Sequence, residues 1–573
     1  MFFRLKKSGP RSYLQIVENR RDGGAVRQNV VATIGRADEL AAKGGLASLL
    51  ASGARFCEQI MVLSALDDGE GGPRVATKRI GAPLAFGRLW EETGCRAVIE
   101  ELLADRAFEF PVERAIFTAV LQRILVSGSD RTGEKWKDDY EMPGAEGLEL
   151  HHFYRAMAWL GEELPAERQK HATPFAPRTI KDEIEEMLFE RRRDLFTDLS
   201  VVFMDTTSLF FTGAGGETLG ERGYSKDNRP DLNQMIVGVV IDADGRPICS
   251  EMWPGNTADV TVLLPVVDRL RHRFAIGRVC IVADRGMISA ATMAALEERR
   301  LEYVLGVRER TDSLVRQVVI EDKKPFTPLL IQRVAGETQL FVKEVAVDGR
   351  RYIVCRSEAE AEKDRTDRAA IVAALDRQLK KGDKALIGNS AYRRYLRATT
   401  KDAFEIDPGK IADEARFDGI FVLRTNARIT PLQAVLRYRD LLQVEELFRS
   451  AKALMQTRPI YHSSDEAIRG HVFCSFLALV LRKELQNRCA AIGIKPEWGD
   501  VLRDLDRLQQ ATLDNQGKTW CIRTEATGTA PGLMKALRIA LPPRAQALGP
   551  PAPQPQSQEQ KRRGRPRRSA TRP

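Results

Sequence analysis

The first 60 residues alternate between apolar and polar side chains in two stretches, 12–18 and 29–34. The segment Asp22-Gly-Gly24 lies between them. A period of two residues is typical of a half-buried strand, and glycines favour a tight turn. The pattern therefore predicts a β-hairpin at the start of the chain, in a region that we bound at residues 1–60.

The period of the apolar positions then changes. From about residue 80 to 198 they recur at intervals of three and four residues. The clearest amphipathic stretches are 90–104, 112–126, 153–160 and 180–196. Apolar residues at this spacing form one face of a helix. Residues 61–198 are therefore predicted to be a helical region.

The pattern changes again near residue 199 to strands mixed with helices. Strands are predicted at 201–205, 234–241, 247–252, 278–284 and 303–307, and helices at 257–274 and 289–300. The turn Asp242-Ala-Asp-Gly245 predicts a hairpin between the second and third strands. Three strands, a helix, a strand, a helix and a strand is the order of a ribonuclease H-like core, an α/β fold. We predict a mixed five-stranded sheet with flanking helices, whose first part spans 199–310.

A second group of strands interrupts this core. Residues 311–415 contain predicted strands at 339–347 and 352–356 and a charged helix at 358–381, which together indicate a β-rich insertion domain. The core resumes at 416–544 with a strand at 419–424, a helix near 438–455 and a further helix at 471–485. Residues 545–573 are rich in Pro, Gln, Ser and Arg, a composition that predicts a disordered tail.

Composition narrows the class of protein. A chain of 573 residues is long enough for several domains. No apolar run approaches the roughly 18 residues of a membrane span, and the N-terminus lacks the apolar stretch of a secretory signal. We therefore expect no membrane partner and a cytoplasmic protein. The net charge is +10, which suits a polyanionic partner without proving one.

Two aspartates close short apolar runs that are predicted to be buried strands. Asp205 ends the run 199–205, and Asp284 ends the run 278–284. A carboxylate at a buried strand end is unfavourable unless it is paired, hydrogen-bonded or bound to metal. Either aspartate alone is as readily a turn or cap residue, but two of them in the first and fourth strands of one predicted sheet favour a shared site.

A third carboxylate is expected on the helix near residue 445. At about 100° per residue, Tyr438, Glu445, Arg449 and Lys452 fall in one sector beside the apolar stripe, whereas Glu446 points to solvent. We therefore select Glu445 over its neighbour. The alternative is a solvent-exposed salt bridge between Glu445 and Arg449, since such i,i+4 pairs are common.

These residues carry a resemblance to a known family. The chain resembles bacterial insertion-sequence transposases of the DDE class, in the branch with a β-rich insertion and a Tyr-Arg-Glu-Lys signature. Tyr438, Glu445 and Lys452 have the spacing of that signature, but Leu441 occupies its Arg position, where Arg439 or Arg449 could substitute. Four further stretches resemble the same branch, and they are Gly223-Tyr-Ser-Lys-Asp-Asn-Arg-Pro-Asp231, Pro254-Gly-Asn-Thr-Ala-Asp259, Ala283-Asp-Arg-Gly286 and Thr457-Arg-Pro-Ile-Tyr-His462.

The resemblance implies a function. Asp205, Asp284 and Glu445 would be the catalytic residues and would bind two Mg²⁺ or Mn²⁺ ions, which prefer oxygen ligands. Water would cut an end of the insertion sequence, and the freed 3′-hydroxyl would attack target DNA. The partners would be double-stranded DNA, as terminal inverted repeats and target, and a second copy of the chain in a paired-end complex. A metal-dependent nuclease that does not join strands, or an idle DNA-binding protein, are the alternatives.

Several cations are expected to hold DNA phosphates. The resemblance implies this role for Tyr438, Lys452, Arg449 and Arg285. The tail 561–573 adds seven basic residues and no acidic ones, and its segment Arg563-Gly-Arg565-Pro566 is similar to the core of an AT-hook. Arginines of this kind enter the narrow minor groove of A·T-rich DNA. A basic tail that binds DNA without sequence preference is the alternative.

Overall fold

The computed structural model divides the chain into two compact units. One unit comprises residues 1–77, 510–525 and 542–573, and the other comprises 78–509 and 526–541. The structure describes residues 2–22, 25–42, 74–126, 128–170, 172, 176–192, 201–226, 229–274, 280–283, 289–307, 310, 312–333, 336–379, 392, 394–399, 404–449, 459–515 and 518–548.

Strands are numbered in chain order. They are β1 (Phe2–Ser8), β2 (Arg11–Asp22), β3 (Ala25–Arg36), β4 (Arg74–Arg79), β5 (Val201–Phe210), β6 (Gln234–Ile241), β7 (Pro247–Pro254), β8 (Cys280–Ala283), β9 (Glu302–Gly306), β10 (Thr327–Arg333), β11 (Gly336–Val347), β12 (Arg350–Arg356), β13 (Leu396–Ala398), β14 (Phe404–Ile406), β15 (Ile420–Thr425), β16 (Gln509–Asn515), β17 (Lys518–Arg523) and β18 (Ala545–Leu548).

Helices are numbered in the same way. They are α1 (Ala37–Ala42), α2 (Gly81–Glu92), α3 (Cys95–Leu102), α4 (Val112–Leu125), α5 (Asp130–Trp136), α6 (Leu150–Leu160), α7 (Ile180–Arg192), α8 (Asp259–Arg273), α9 (Ala290–Glu298), α10 (Glu358–Leu379), α11 (Pro408–Ala415), α12 (Pro431–Asp440), α13 (Leu442–Arg449), α14 (Asp465–Ala491), α15 (Trp498–Asp506) and α16 (Ala530–Ala536).

The first unit contains two sheets. The predicted hairpin is present as β2 and β3, and β1 pairs with β2 to make a three-stranded sheet. A separate sheet has the order β18-β17-β16-β4. Its last strand, β18, occupies residues 545–548, so the tail that we predicted to be disordered from residue 545 begins with a strand. The rest of that tail, from residue 549, lies outside the described residues.

The second unit is organised around a nine-stranded mixed sheet in the order β10-β11-β12-β15-β9-β8-β5-β6-β7. Strand β8 runs parallel to its neighbours β5 and β9, and the other described pairs are antiparallel. The segment β9-β8-β5-β6-β7 fits the ribonuclease H-like order expected from the sequence. The α/β class of the fold is therefore confirmed.

The number of strands in the core sheet differs from the sequence prediction. Strands β10, β11 and β12, which lie in the region predicted to be a β-rich insertion, extend the core sheet, and β15 joins them to β9. The sheet therefore has nine strands and not the predicted five. Without β15, strand β9 would lie at the edge of the sheet and expose unpaired backbone groups. Pairing with β15 covers these groups. Pairing between strands more than 100 residues apart leaves no local signal in the sequence.

The two faces of the sheet are covered differently. Helices α8 and α9 pack on one face around Val202, Met204, Ile281 and Leu305. The opposite face, which carries Phe203, packs in one continuous apolar core with α12 to α14 and with α2 to α6. The predicted helical region thus shares its core with the sheet. No helix among the described residues is long and apolar enough to cross a membrane.

Candidate active site

Asp205 lies in the middle of β5 and not at its end. The sequence prediction ended the strand at residue 205, but β5 continues to Phe210 and Asp205 pairs with Val239 of β6. The following residues, Thr206-Thr-Ser208, are compatible with a strand, so polarity alone gave a false end point. The Asp205 side chain is half-buried, and its Oδ1 accepts a hydrogen bond of 2.7 Å from the backbone N–H of Thr206.

Alternation along β5 assigns Asp205 to the face that α13 covers. Residues two apart on a strand share a face, and Phe203 and Leu209 belong to the same apolar core as Val444 and Phe448 of α13. Phe448 also lines a small apolar cavity together with Leu209 and Thr207. The strand that carries Asp205 and the helix that carries Glu445 are therefore packed together on this face.

The helix that carries Glu445 begins later than predicted. The sequence indicated one helix over 438–455, whereas α12 ends at Asp440 and α13 begins at Leu442. Thr430 and Gln433 form a capping box and Pro431 occupies the first turn, which fixes the start of α12. At the junction, the backbone N–H of Leu441 bonds to the carbonyl of Tyr438 at 3.2 Å, an i→i−3 bond that tightens the turn.

The break at Leu441 invalidates the single straight helix used to align Tyr438 with Glu445. Tyr438 is half-buried, and its ring stacks on that of Phe421 with centroids 6.3 Å apart. A Cβ built on Gly306 would lie 2.3 Å from the Tyr438 hydroxyl, so this tyrosine rests closely on β9. Its contact with phosphate stays a prediction.

Among the described side chains of α13, Glu445 and Arg449 are exposed, whereas Val444, Leu447 and Phe448 are buried. The helix therefore anchors an exposed carboxylate by its apolar residues. The side chain of Glu446 lies outside the described part of the structure. The same holds for five predicted site residues, Asp284, Arg285, Lys452, Arg563 and Arg565.

Sequence reasoning assigned no role to Lys226, although it quoted the segment that contains it. Lys226 Nζ donates to the carbonyl oxygen and to Oγ1 of Thr206, each at 2.8 Å. Thr206 follows Asp205 directly. The signal available in the sequence was the motif itself, but nothing in the motif indicates which strand the lysine contacts.

A second polar cluster joins the helical region to the segment after α13. His462 Nε2 lies 3.2 Å from Asp130 Oδ2 and 3.2 Å from His471 Nδ1. The sequence indicates no partner for either histidine. Arg123 Nη2 lies 2.9 Å from His471 Nδ1 and 3.3 Å from Asp130 Oδ1.

The charges in this cluster compensate one another. Burial acts to raise the pKa of Asp130, but Arg123, His462 and His471 outweigh it and hold that pKa well below its usual value. The three ligand-type atoms lie within 4.8 Å of one another. A permanently charged guanidinium already occupies the space beside them, so the group is a charge-balanced link between α4, α5 and α14.

Two family models match the chain. The IS1634 family transposase N-terminal domain matches residues 3–67, and the transposase DDE domain matches residues 197–481. Together the two matches cover well over half of the sequence, and the second contains Asp205, Asp284 and Glu445. The chain therefore belongs to the insertion-sequence transposases of the DDE class. It is a DNA transposase, a metal-dependent enzyme that cleaves DNA and transfers the cut strand.

Similarity beyond the family is slight. No curated protein matches the chain. Among solved structures, the piggyBac transposase synaptic complex with hairpin DNA is 11% identical, with a TM-score of 0.34, over 74% of this chain and 79% of that one. The Mos1 transposase paired-end complex with the left transposon end is 15% identical, with a TM-score of 0.13, over 35% and 61%. At these TM-scores neither likeness adds to the assignment.

Proposed function

We propose that Asp205, Asp284 and Glu445 form the carboxylate triad of this transposase. The observation that carries the proposal is the register between the parallel strands β5 and β8. Val201 pairs with Cys280 and Phe203 with Val282, so partners are 79 positions apart. The same separation divides Asp205 from Asp284 in the sequence. Asp284 is the residue immediately after the described end of β8, and an unbroken register would make it the neighbour of Asp205.

The packing of α13 supports the third member. Asp205 occupies the sheet face on which Val444 and Phe448 are buried, and Glu445 is exposed between those two anchors. A carboxylate at the margin of a packed helix can reach the open part of the strand without being buried itself. The alternative pairing of Glu445 with Arg449 finds no support among the described ion pairs, none of which joins these two residues.

The donor set fits hard divalent cations. Three carboxylates offer only oxygen ligands, which Mg²⁺ and Mn²⁺ prefer over nitrogen or sulfur donors. We propose two ions, held by Asp205, Asp284 and Glu445. When bound, a pair of such ions supplies activation of the attacking oxygen and stabilisation of the leaving oxygen. Thr206 contributes by fixing one Asp205 oxygen through its backbone N–H.

The remaining predicted residues are assigned to the nucleic acid. Arg285 directly follows Asp284, and Arg449 and Lys452 follow Glu445, so positive charge lies close to these carboxylates in the sequence, which suits the phosphate backbone. Tyr438 would bind a phosphate through its hydroxyl only after moving away from Gly306. Arg563 and Arg565 of the tail would bind the minor groove outside the catalytic region.

The reaction that we propose is cut-and-paste transposition. Water cleaves a phosphodiester at each end of the insertion sequence, and the 3′-hydroxyl that is freed attacks target DNA. The substrates are double-stranded terminal inverted repeats and target DNA, and we propose a homodimer that holds both ends in a paired-end complex. Bacterial DNA is cytoplasmic, so the cytosol is the compartment in which we expect the protein to act.

The test uses the full-length protein with its flanking inverted repeats, a target plasmid and Mg²⁺. Asp205→Asn, Asp284→Asn and Glu445→Gln should each abolish end cleavage while end binding, measured by gel shift, stays within a few-fold of the parent. Glu446→Gln is the matched control and should cleave at the parent rate. Full cleavage by any triad variant would remove that residue from the site. Cleavage by the parent without a joined product would favour the nuclease alternative.

A further inference from the structure

Among the described residues, strands pair with only part of one edge of β5. Backbone groups of alternate residues point to opposite sides of a strand. The N–H of Phe211 bonds to Asn233 on the β6 side, whereas the carbonyl of Phe210 accepts from the N–H of Ile460 on the other side. Even-numbered residues of β5 therefore face the β8 side. The described pairing with β8 ends at Phe203.

Lys226 lies at this edge, between the pairing with β8 and the bridge to Ile460. Its Nζ donates to the carbonyl oxygen of Thr206 at 2.8 Å, and its own backbone N–H donates to Ser208 Oγ at 2.9 Å. A buried strand carbonyl needs a donor, and here an ammonium group supplies it. The same ammonium also donates to Thr206 Oγ1 at 2.8 Å.

The contact with Thr206 connects Lys226 to Asp205 through the backbone. The two residues are adjacent in the chain, and the N–H of Thr206 holds Asp205 Oδ1 at 2.7 Å. The N–H of Thr206 thus donates to the Asp205 carboxylate, and its carbonyl and hydroxyl oxygens accept from the Lys226 ammonium. A change at Lys226 would release the carbonyl end of this chain of contacts and with it the orientation of the carboxylate.

The loop that supplies Lys226 is fixed at its base. Glu221 and Gln234 exchange two backbone hydrogen bonds of 3.1 and 3.0 Å. A Cβ on Gly223 would lie 2.0 Å from the carbonyl oxygen of Gly255, so the loop passes this point with no room for a side chain. Ser225 Oγ accepts from the N–H of Arg229 at 3.1 Å. Lys226 is therefore presented to β5 from a preorganised loop.

We propose that Lys226 is a positioning residue for the phosphoryl-transfer site. It acts through Thr206 to orient the Asp205 carboxylate for divalent-cation binding. The inference rests on the proposed function of Asp205. A purely structural lysine would change the stability of the fold and leave the affinity for the cation unaltered.

The test compares Lys226→Met with the parent in two measurements on the full chain. The first is single-turnover cleavage of end DNA. The second is Mn²⁺ binding, followed by electron paramagnetic resonance on the protein bound to end DNA with a phosphorothioate at the scissile position. We expect cleavage and Mn²⁺ affinity both to fall by about 10- to 100-fold, the usual effect of removing a group that orients a ligand, while end binding and the melting temperature stay near the parent values.

Two further variants keep the test decisive if Lys226→Met folds poorly. Lys226→Arg retains the charge and the donors and should recover most of the Mn²⁺ affinity. Thr206→Val removes only the hydroxyl acceptor and should lower Mn²⁺ affinity by about two- to tenfold, the effect of one hydrogen bond. Lys495→Met, at an exposed lysine after α14, is the matched control and should behave as the parent.

The outcomes separate this inference from the proposed function. Parent-like cleavage and Mn²⁺ affinity in Lys226→Met would overturn the inference, and so would a loss of melting temperature with unchanged Mn²⁺ affinity. If Asp205→Asn, measured in parallel, cleaves at the parent rate, the triad itself is refuted. An inactive Asp205→Asn beside a parent-like Lys226→Met refutes only the role of the lysine.

Discussion

Replacing Arg273 by Met should destabilise the second unit strongly, because this arginine completes a buried network of charges. Its side chain is 4% exposed, and Nη2 donates to Glu185 Oε2 at 2.8 Å while Nη1 lies 3.1 Å from Asp182 Oδ1. Nη1 also donates to Glu251 at 3.2 Å. Nε of Arg273 pairs with Glu186 at 2.7 Å. Lys181, Arg269 and Arg178 are the other cations of the network, which therefore balances four acids with four bases.

The magnitude follows from that balance. Methionine retains most of the buried volume but leaves one net negative charge among Asp182, Glu185, Glu186 and Glu251, at a largely buried site. Breaking a buried ion pair on one side costs about 3–5 kcal/mol. Unfolding entropy near 2.1 cal/mol/K per residue gives roughly 0.9 kcal/mol/K for a cooperative unit of about 450 residues. The melting temperature should therefore fall by about 3–6 °C.

Scanning calorimetry and urea unfolding of the full chain would measure the effect. Arg96→Met is the matched control, since Arg96 forms an exposed i,i+4 pair with Glu100, and pairs of this kind contribute at most about 1 kcal/mol. The double variant Arg273→Met/Glu251→Gln lacks one charge of each sign. Its loss of unfolding free energy should therefore be smaller than the sum of the losses in the two single variants. A loss below about 1 kcal/mol for Arg273→Met, or strict additivity in the double variant, would refute the reasoning.

Three other predictions concern pH, packing and the tail. The neighbours of Asp130 hold its pKa below the usual value near 4. The stability that Asp130 contributes is therefore present above that value and is lost as the pH falls below it. The difference in unfolding free energy between the parent and Asp130→Asn should shrink from about pH 4 downward, and a constant difference would contradict this. Gly306→Ala should cost about 1–3 kcal/mol by displacing the Tyr438 hydroxyl, and Tyr438→Phe in the same chain should recover most of it; no recovery in urea unfolding would show that the clash lies elsewhere. Deleting residues 550–573 should weaken binding to A·T-rich duplex more than to G·C-rich duplex, and equal losses in fluorescence anisotropy would refute the AT-hook assignment.

The sequence determined the elements of the core because their signals are local. Strand β6 occupies residues 234–241 as predicted, and the helix predicted at 257–274 is α8, Asp259–Arg273. Strand β6 is a nearly continuous apolar run, α8 repeats apolar residues at helical spacing, and turn residues such as Gly245 mark the end of β6. The family motifs were equally local, since Tyr438, Glu445 and Lys452 are recognised by spacing alone.

The angular positions of residues on a predicted helix were less dependable than their spacing in the sequence. The angular argument that aligned Tyr438 with Glu445 assumed one straight helix, and the turn at Leu441 removes that assumption. A helix pattern specifies which residues are apolar, but an apolar stripe continues across a tight turn when both halves pack on the same core. The choice of Glu445 over Glu446 remains a prediction, supported by the buried neighbours of Glu445.

Tertiary structure alone decided which distant residues meet. The addition of β15 and of β10 to β12 to the core sheet, the contact of Lys226 with Thr206, and the approach of Asp130 to His462 all join segments that are far apart in the chain. The sequence alone determined the periodic elements, the carboxylate motif and the class of enzyme. It could not determine these meetings, because strand order and ion pairing depend on which backbone and charged groups are left to be satisfied once the chain is packed.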